Sequence, residues 1–148
     1  MTNSENLLDR WRRYSEALAR TNALNKTIIF DALTAAGITH VVFGFDGEGD
    51  DGQIDGGAAF IGDQAVEFPA VSVTLNYAQS ADEQVRTQDV TLREAIEELC
   101  YGYLEQEYGG WENNDGAFGE FRFHVAEKRI DLEFNGRFTD YSHHSHAF

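Results

Sequence analysis

Two stretches hold the residue types that could do chemistry. Asp46 to Gly57 reads DGEGDDGQIDGG, with five acidic residues and five glycines in twelve positions and no base among them. Gly109 to Glu120 reads GGWENNDGAFGE and sets carboxylates and amides around Trp111. Hard cations take carboxylate and carbonyl oxygens, so the alternate Asp46, Glu48 and Asp50 suggest calcium or magnesium, with Asp115 of the second stretch completing the shell if the two meet. The EF-hand pattern fails. Counted from Asp46, position six is Asp51 in place of Gly, and position twelve is Gly57 in place of Glu. The bland alternative is a solvated hairpin tip whose glycines satisfy turn geometry.

The same residues could instead form a recognition surface. Asp46, Glu48, Asp50, Asp51 and Asp55 would supply charge, Trp111 a contact anchor, and Glu112, Asn113, Asn114 and Asp115 its polar surround. Asn113 to Gly116 also fits tight-turn chemistry, with the indole buried as a structural anchor. Catalysis has less support. Carboxylates at 48, 50, 112 and 115 make a pair only if their separation suits one. Cys100 with His40 or His124 has the types of a nucleophile and base, but Cys100 falls in a helical apolar stripe and reads as packing. No phosphate loop follows the glycines, because no GK[ST] appears. The chain reads as a binding protein rather than an enzyme, with no resident cofactor.

Charge narrows the partners. Against 26 Asp and Glu stand 11 Lys and Arg, a formal net charge of -15, which opposes direct binding to nucleic acid or anionic lipid. No Lys or Arg occurs between Lys26 and Arg86, and eight carboxylates lie between Glu94 and Glu120 without a base. A basic protein partner is the expectation; the oligomeric state is left open. A single cysteine excludes an internal disulfide, and no apolar run approaches the roughly 20 residues of a membrane span, so a cytoplasmic location is expected.

These stretches must be held by ordinary elements. Leu7, Trp11, Tyr14 and Leu18 recur at helical spacing and predict a helix over 4–20; Arg10, Arg12 and Arg13 form its solvated face. Leu24, Ile28, Ile29, Leu33 and Ala36 predict a second over 22–36, ended by Gly37. Strands are expected at Ile38 to Phe45 and Gln53 to Ile61, a hairpin with the acidic stretch at its tip, where Gly56 and Gly57 indicate a bulge or close approach. Val71, Val73, Leu75 and Tyr77 alternate as a third strand, and 79–89 reads as a polar loop. Thr91 and Glu94 have capping-box spacing before a third helix, whose buried stripe is Leu92, Ile96, Leu99 and Tyr103. Alternation around Phe121, Phe123, Val125 and around Ile130, Leu132, Phe134 gives a closing hairpin.

The expectation is one acidic α+β domain over 1–148: a helical part at 1–37, then 38–148 with a largely antiparallel five-stranded sheet and a helix between strands three and four. Residues 141–148 (YSHHSHAF) read as a mobile tail, although a short last strand is open; His143, His144 and His146 could also bind a transition metal.

Phe45-Asp46-Gly47 with Gly49-Asp50 and Gln53-Ile54, Trp111 to Phe121 (WENNDGAFGEF), and Leu132 to Thr139 (LEFNGRFT) together resemble an uncharacterised bacterial family. It is one of the numbered domains of unknown function, met in proteobacteria and often on plasmids and other mobile elements. The resemblance runs from about Val41 to Phe148 and implies no activity. Where such chains often read Asn-Glu-Arg, this one has Asn135-Gly136-Arg137. A mobile-element setting implies an inhibitor of restriction or CRISPR defence that mimics nucleic acid.

Overall fold

The computed structural model describes residues 3–48, 51–78, 85–108, 117–136 and 142–148. The fold is α+β, with two helices and a mostly antiparallel sheet. The first helix, α1 (Asn3–Ala35), is continuous over 33 residues, about 50 Å at 1.5 Å per residue. This corrects the expectation of two helices. The polar pair at the supposed junction does not cap: Thr21 Oγ1 donates back to the Leu18 carbonyl, 3.0 Å, and Asn22 Nδ2 donates across to Gln106, 2.9 Å. The helix ends as expected at Gly37, φ 76°, where Ile38 N donates to the Leu33 carbonyl and Gly37 N to that of Thr34. Arg12, Arg13 and Arg20 are exposed.

Six strands form the main sheet: β1 (His40–Glu48), β2 (Asp51–Ile61), β3 (Gln64–Val66), β6 (Ala117–His124), β7 (Arg129–Gly136) and β8 (Ser142–Ala147), in the order β3-β2-β1-β6-β7-β8. Two further strands, β4 (Ser72–Ala78) and β5 (Val85–Thr91), pair with each other outside the main sheet, and β4 packs on α1. The five-stranded sheet is thus corrected to six plus two. β4 was legible from its alternation but belongs outside the main sheet. In β5, Arg86, Thr87, Gln88 and Asp89 are all exposed and leave no apolar alternation to read. The second helix, α2 (Leu92–Tyr108), starts at the expected cap, where Thr91 Oγ1 accepts from Glu94 N at 3.2 Å. Its stripe Leu92, Ile96, Leu99 and Tyr103 is buried as expected.

The C-terminal residues are a paired strand, not a tail. Register sets His146 against Leu132 and His144 against Phe134, and Phe148 exchanges backbone hydrogen bonds with Ile130 at 2.7 and 3.0 Å. The Phe148 ring stacks on Tyr103 of α2, centroids 4.3 Å apart. Partial burial of that ring is what a run of Ser, His and Ala could not announce.

One face of the sheet carries the core. Across β1, β6 and β7 the register rows are Val41, Phe123, Ile130; then Phe43, Phe121, Leu132; then Phe45, Gly119, Phe134. All except Gly119 are buried, each large apolar side chain contributing about 1.5–3 kcal/mol relative to exposure. Phe30 of α1 covers Phe123, centroids 5.9 Å apart. The register of β1 on β2 shifts between Val42 and Gly44, the bulge expected at Gly56 and Gly57; a Cβ on Gly57 would run into the Phe43 ring.

Gly119 is equally constrained. A Cβ there would overlap the Glu133 carbonyl oxygen and stand 2.8 Å from the Phe45 ring. Gly119→Ala should therefore lower stability by about 1–3 kcal/mol, the usual range for overpacking. Chemical denaturation checks this, and an unchanged midpoint would contradict the close packing.

Candidate functional site

Three separate stretches attach to one end of the sheet. In register, Asp46 lies beside Gln53 on one side and Phe118 on the other, with Asn135 and then His143 beyond. The next row is Gly52, Gly47, Ala117, Gly136 and Ser142, and past it Glu48 faces Asp51. The tip of the β1–β2 hairpin, the segment leading into β6 and the segment joining β7 to β8 therefore all join the sheet here. This reflects antiparallel pairing alone: β1 runs toward this end, β6 starts at it, β7 finishes at it and β8 starts again from it.

Asp46 is exposed at this end. Glu48, Asp51 and Asp55 lie on the paired strands, but their side chains are outside the described residues. Asp50, Trp111, Glu112, Asn113, Asn114 and Asp115 lie outside them altogether. Ala117, two positions beyond Asp115, pairs with Gly47. Among the described residues no group of three or more His, Cys, Asp or Glu side chains is placed to hold a metal.

Cys100 and the pair His40 and His124 are on different sides of the sheet. Cys100 is fully buried in α2, and burial, followed by the nearby Glu97, pushes its thiol well above the ordinary range. His40 and His124 meet edge to face on the other side, centroids 5.7 Å apart, and His124 Nε2 lies 3.0 Å from Asp131. They make no nucleophile and base pair. Beside them Arg122 binds Glu120 at 2.7 Å, and Arg129 binds Asp131 and Glu127. These pairs are exposed and contribute little to stability.

A second site escaped the sequence reading. Between α1, α2 and β4 lies a cavity of about 150 Å³, lined among others by Tyr14, Asn22, Tyr77, Glu98, Tyr101 and Glu105. Asn25 builds one wall: its Oδ1 accepts from Asn76 N at 2.8 Å while its Nδ2 donates to the Asn76 carbonyl at 2.8 Å, tying β4 to α1. Asn22 builds another, seated against Gly102, where a Cβ would collide with its Oδ1. Tyr101 reaches the main sheet and accepts from Ile54 N at 2.9 Å. Tyr14 donates to Glu105 at 3.2 Å, and its own pKa is raised by burial and then by that carboxylate. The available signal was Asn22 and Asn25, two amides three residues apart among the apolar residues of a helix; both are buried.

Glu98 stands at the rim of this cavity. Partial burial, then Glu97 and Glu94, raise its pKa above the ordinary 4.5. The folded protein thus holds this proton more tightly than the unfolded chain does. Ionising Glu98 costs stability as pH rises through about 4.5, and the full cost is present above the raised folded value. Glu98→Gln should raise the denaturation midpoint at pH 7, with the gain vanishing below about pH 4, where the carboxyl is protonated in both states. An equal gain at both pH values would contradict the assignment.

Among the described residues no helix is long and apolar enough to cross a membrane. Comparison with curated proteins and with solved structures gives no match. A family model does match, over residues 21–148, which takes in the second half of α1, both sheets and α2. The chain belongs to DUF6878, a family of unknown function.

Proposed function

We propose that the protein is a non-enzymatic binding protein whose acidic sheet end engages a basic protein partner. The observation that carries this reading is the gathering of acidic strand positions Asp46, Glu48 and Asp51 at one end of the sheet, with Asp55 two rows further in, all in a stretch of the chain with no Lys or Arg from 27 to 85. Arg122 and Arg129, on the neighbouring strands, are already paired with acids. The excess of acid over base in this stretch is what an outside basic group would answer. The sequence resemblance to proteins of proteobacteria and mobile elements narrows the partner to a nucleic-acid-binding protein of a defence system. The carboxylates would occupy its basic groove in place of phosphates.

A Lys/Arg-rich synthetic peptide is the probe. Its affinity should fall steeply as salt shortens the screening length from about 10 Å at 0.1 M to about 3 Å at 1 M. Neutralising Asp46, Glu48, Asp51 and Asp55 together should weaken binding about tenfold, roughly the 1.4 kcal/mol expected of a few partly screened contacts. Neutralising Asp9, Glu16, Asp63 and Glu67 instead should cost much less. Equal losses from the two sets would reduce the effect to net charge and remove the site.

A divalent cation is the second reading, favoured by the facing Glu48 and Asp51. Calcium or magnesium at the sheet end should raise the melting temperature reversibly, with EDTA returning it. No shift with either ion rejects this reading and leaves the first intact.

A further inference from the structure

The cavity between α1, α2 and β4 is separate from the sheet end. We propose that it binds a small aliphatic diamine, with Glu98 and Glu105 each taking one ammonium group and the rings of Tyr14, Tyr77 and Tyr101 enclosing the methylene chain. The sign of the ligand follows from the lining. Glu98 and Glu105 are its charged residues, and no Lys, Arg or His contributes to it. An anion would meet two carboxylates. Glu98 and Glu105 are both exposed at the mouth of the cavity, and Glu98 makes no hydrogen bond or ion pair among the described residues, so a neutral molecule would use neither charge. An ammonium group suits both carboxylates, and the rings of Tyr14 and Tyr101 add attraction through their π faces, whereas Tyr77 already carries Arg86 5.6 Å from its ring centroid.

The size follows from the helix and the volume. Glu98 and Glu105 are two turns apart on α2, about 10.5 Å along the axis. Allowing about 2.8 Å for each charge-assisted hydrogen bond, the two nitrogens should stand about 5–8 Å apart. A cavity of about 150 Å³ is comparable to one that admits benzene, so it accepts a ligand of about six heavy atoms. A four- or five-carbon α,ω-diamine meets both limits. The amides set the shape more than they bind: Asn25 is committed to Asn76, and Asn22 to Gln106. Gly102 matters because a larger residue would displace Asn22.

Calorimetric titration of the whole chain with 1,4-diaminobutane and 1,5-diaminopentane, at fixed ionic strength, tests the site. Saturable binding is expected, at least tenfold tighter than that of 1-aminobutane, with no binding of 1,4-butanediol. Glu98→Gln and Glu105→Gln should each weaken the diamine at least tenfold, whereas Glu67→Gln, a distant carboxylate, should not. Amide NMR shifts on titration should centre on Tyr77, Tyr101 and Gly102. Equal affinity for the monoamine, no loss in Glu98→Gln, or shifts confined to Asp46 and Gly47 would each overturn the proposal. The last result would assign the cation to the acidic sheet end, so the two sites fail separately.

Discussion

The packing of Phe45 and Phe134 over Gly119 is the constraint on which the sheet depends. The two rings stack, centroids 5.9 Å apart, although they belong to β1 and β7 with β6 between them. They meet because the middle residue of their row has no side chain. Phe45 also touches Phe121, at 5.6 Å, so the same ring links this row to the next. The three strands are thereby locked in one register, and a slip of one residue would turn the whole apolar set to the wrong face. That register is what brings the hairpin tip and the entrances to β6 and β8 to a common end.

The helices meet a different demand. A buried amide costs free energy unless its hydrogen bonds are made, and α1 carries Thr21, Asn22 and Asn25 on its inner side. Each finds a partner, two of them on other elements, and no buried side-chain nitrogen or oxygen among the described residues lacks one. These contacts hold α1 to α2 and to β4 at a spacing that apolar packing would have closed. The cavity is the space that remains. Its carboxylates come from the open side of α2, where no arginine follows Arg93 within the helix.

Features resting on short-range physics were legible in the sequence. Alternation marked β4, β6 and β7, Thr91 marked the start of α2, and Gly37 marked the end of α1. The hairpin was legible from its flanking alternation, but the acidic stretch expected as its loop is mostly strand, β1 running on to Glu48 and β2 starting at Asp51. What escaped depended on distant partners. Asn22 resembles a helix boundary until Gln106, 84 positions away, accepts its hydrogen bond. Of β5 only Val90 is buried among the described residues, and its pairing relies on β4, including Thr74 Oγ1 donating to Asp89 at 2.5 Å. The final strand is a run of Ser, His and Ala, and the Tyr103 ring on α2 is the distant partner of Phe148. The cavity was invisible for the same reason, since its walls come from three elements that no local pattern relates.

The outer rim of β2 has a consequence of another kind. β3 covers only its last three residues, so from Asp51 onward much of β2 borders no other strand on that side among the described residues. Bare strand edges recruit other chains and lead to aggregates. Here Tyr101 takes the Ile54 N–H, and the uncovered length is rich in glycine and aspartate, poor material for adding a strand. The acidity of this stretch thus also keeps an open sheet from growing, a service to solubility that would persist even where no partner is present.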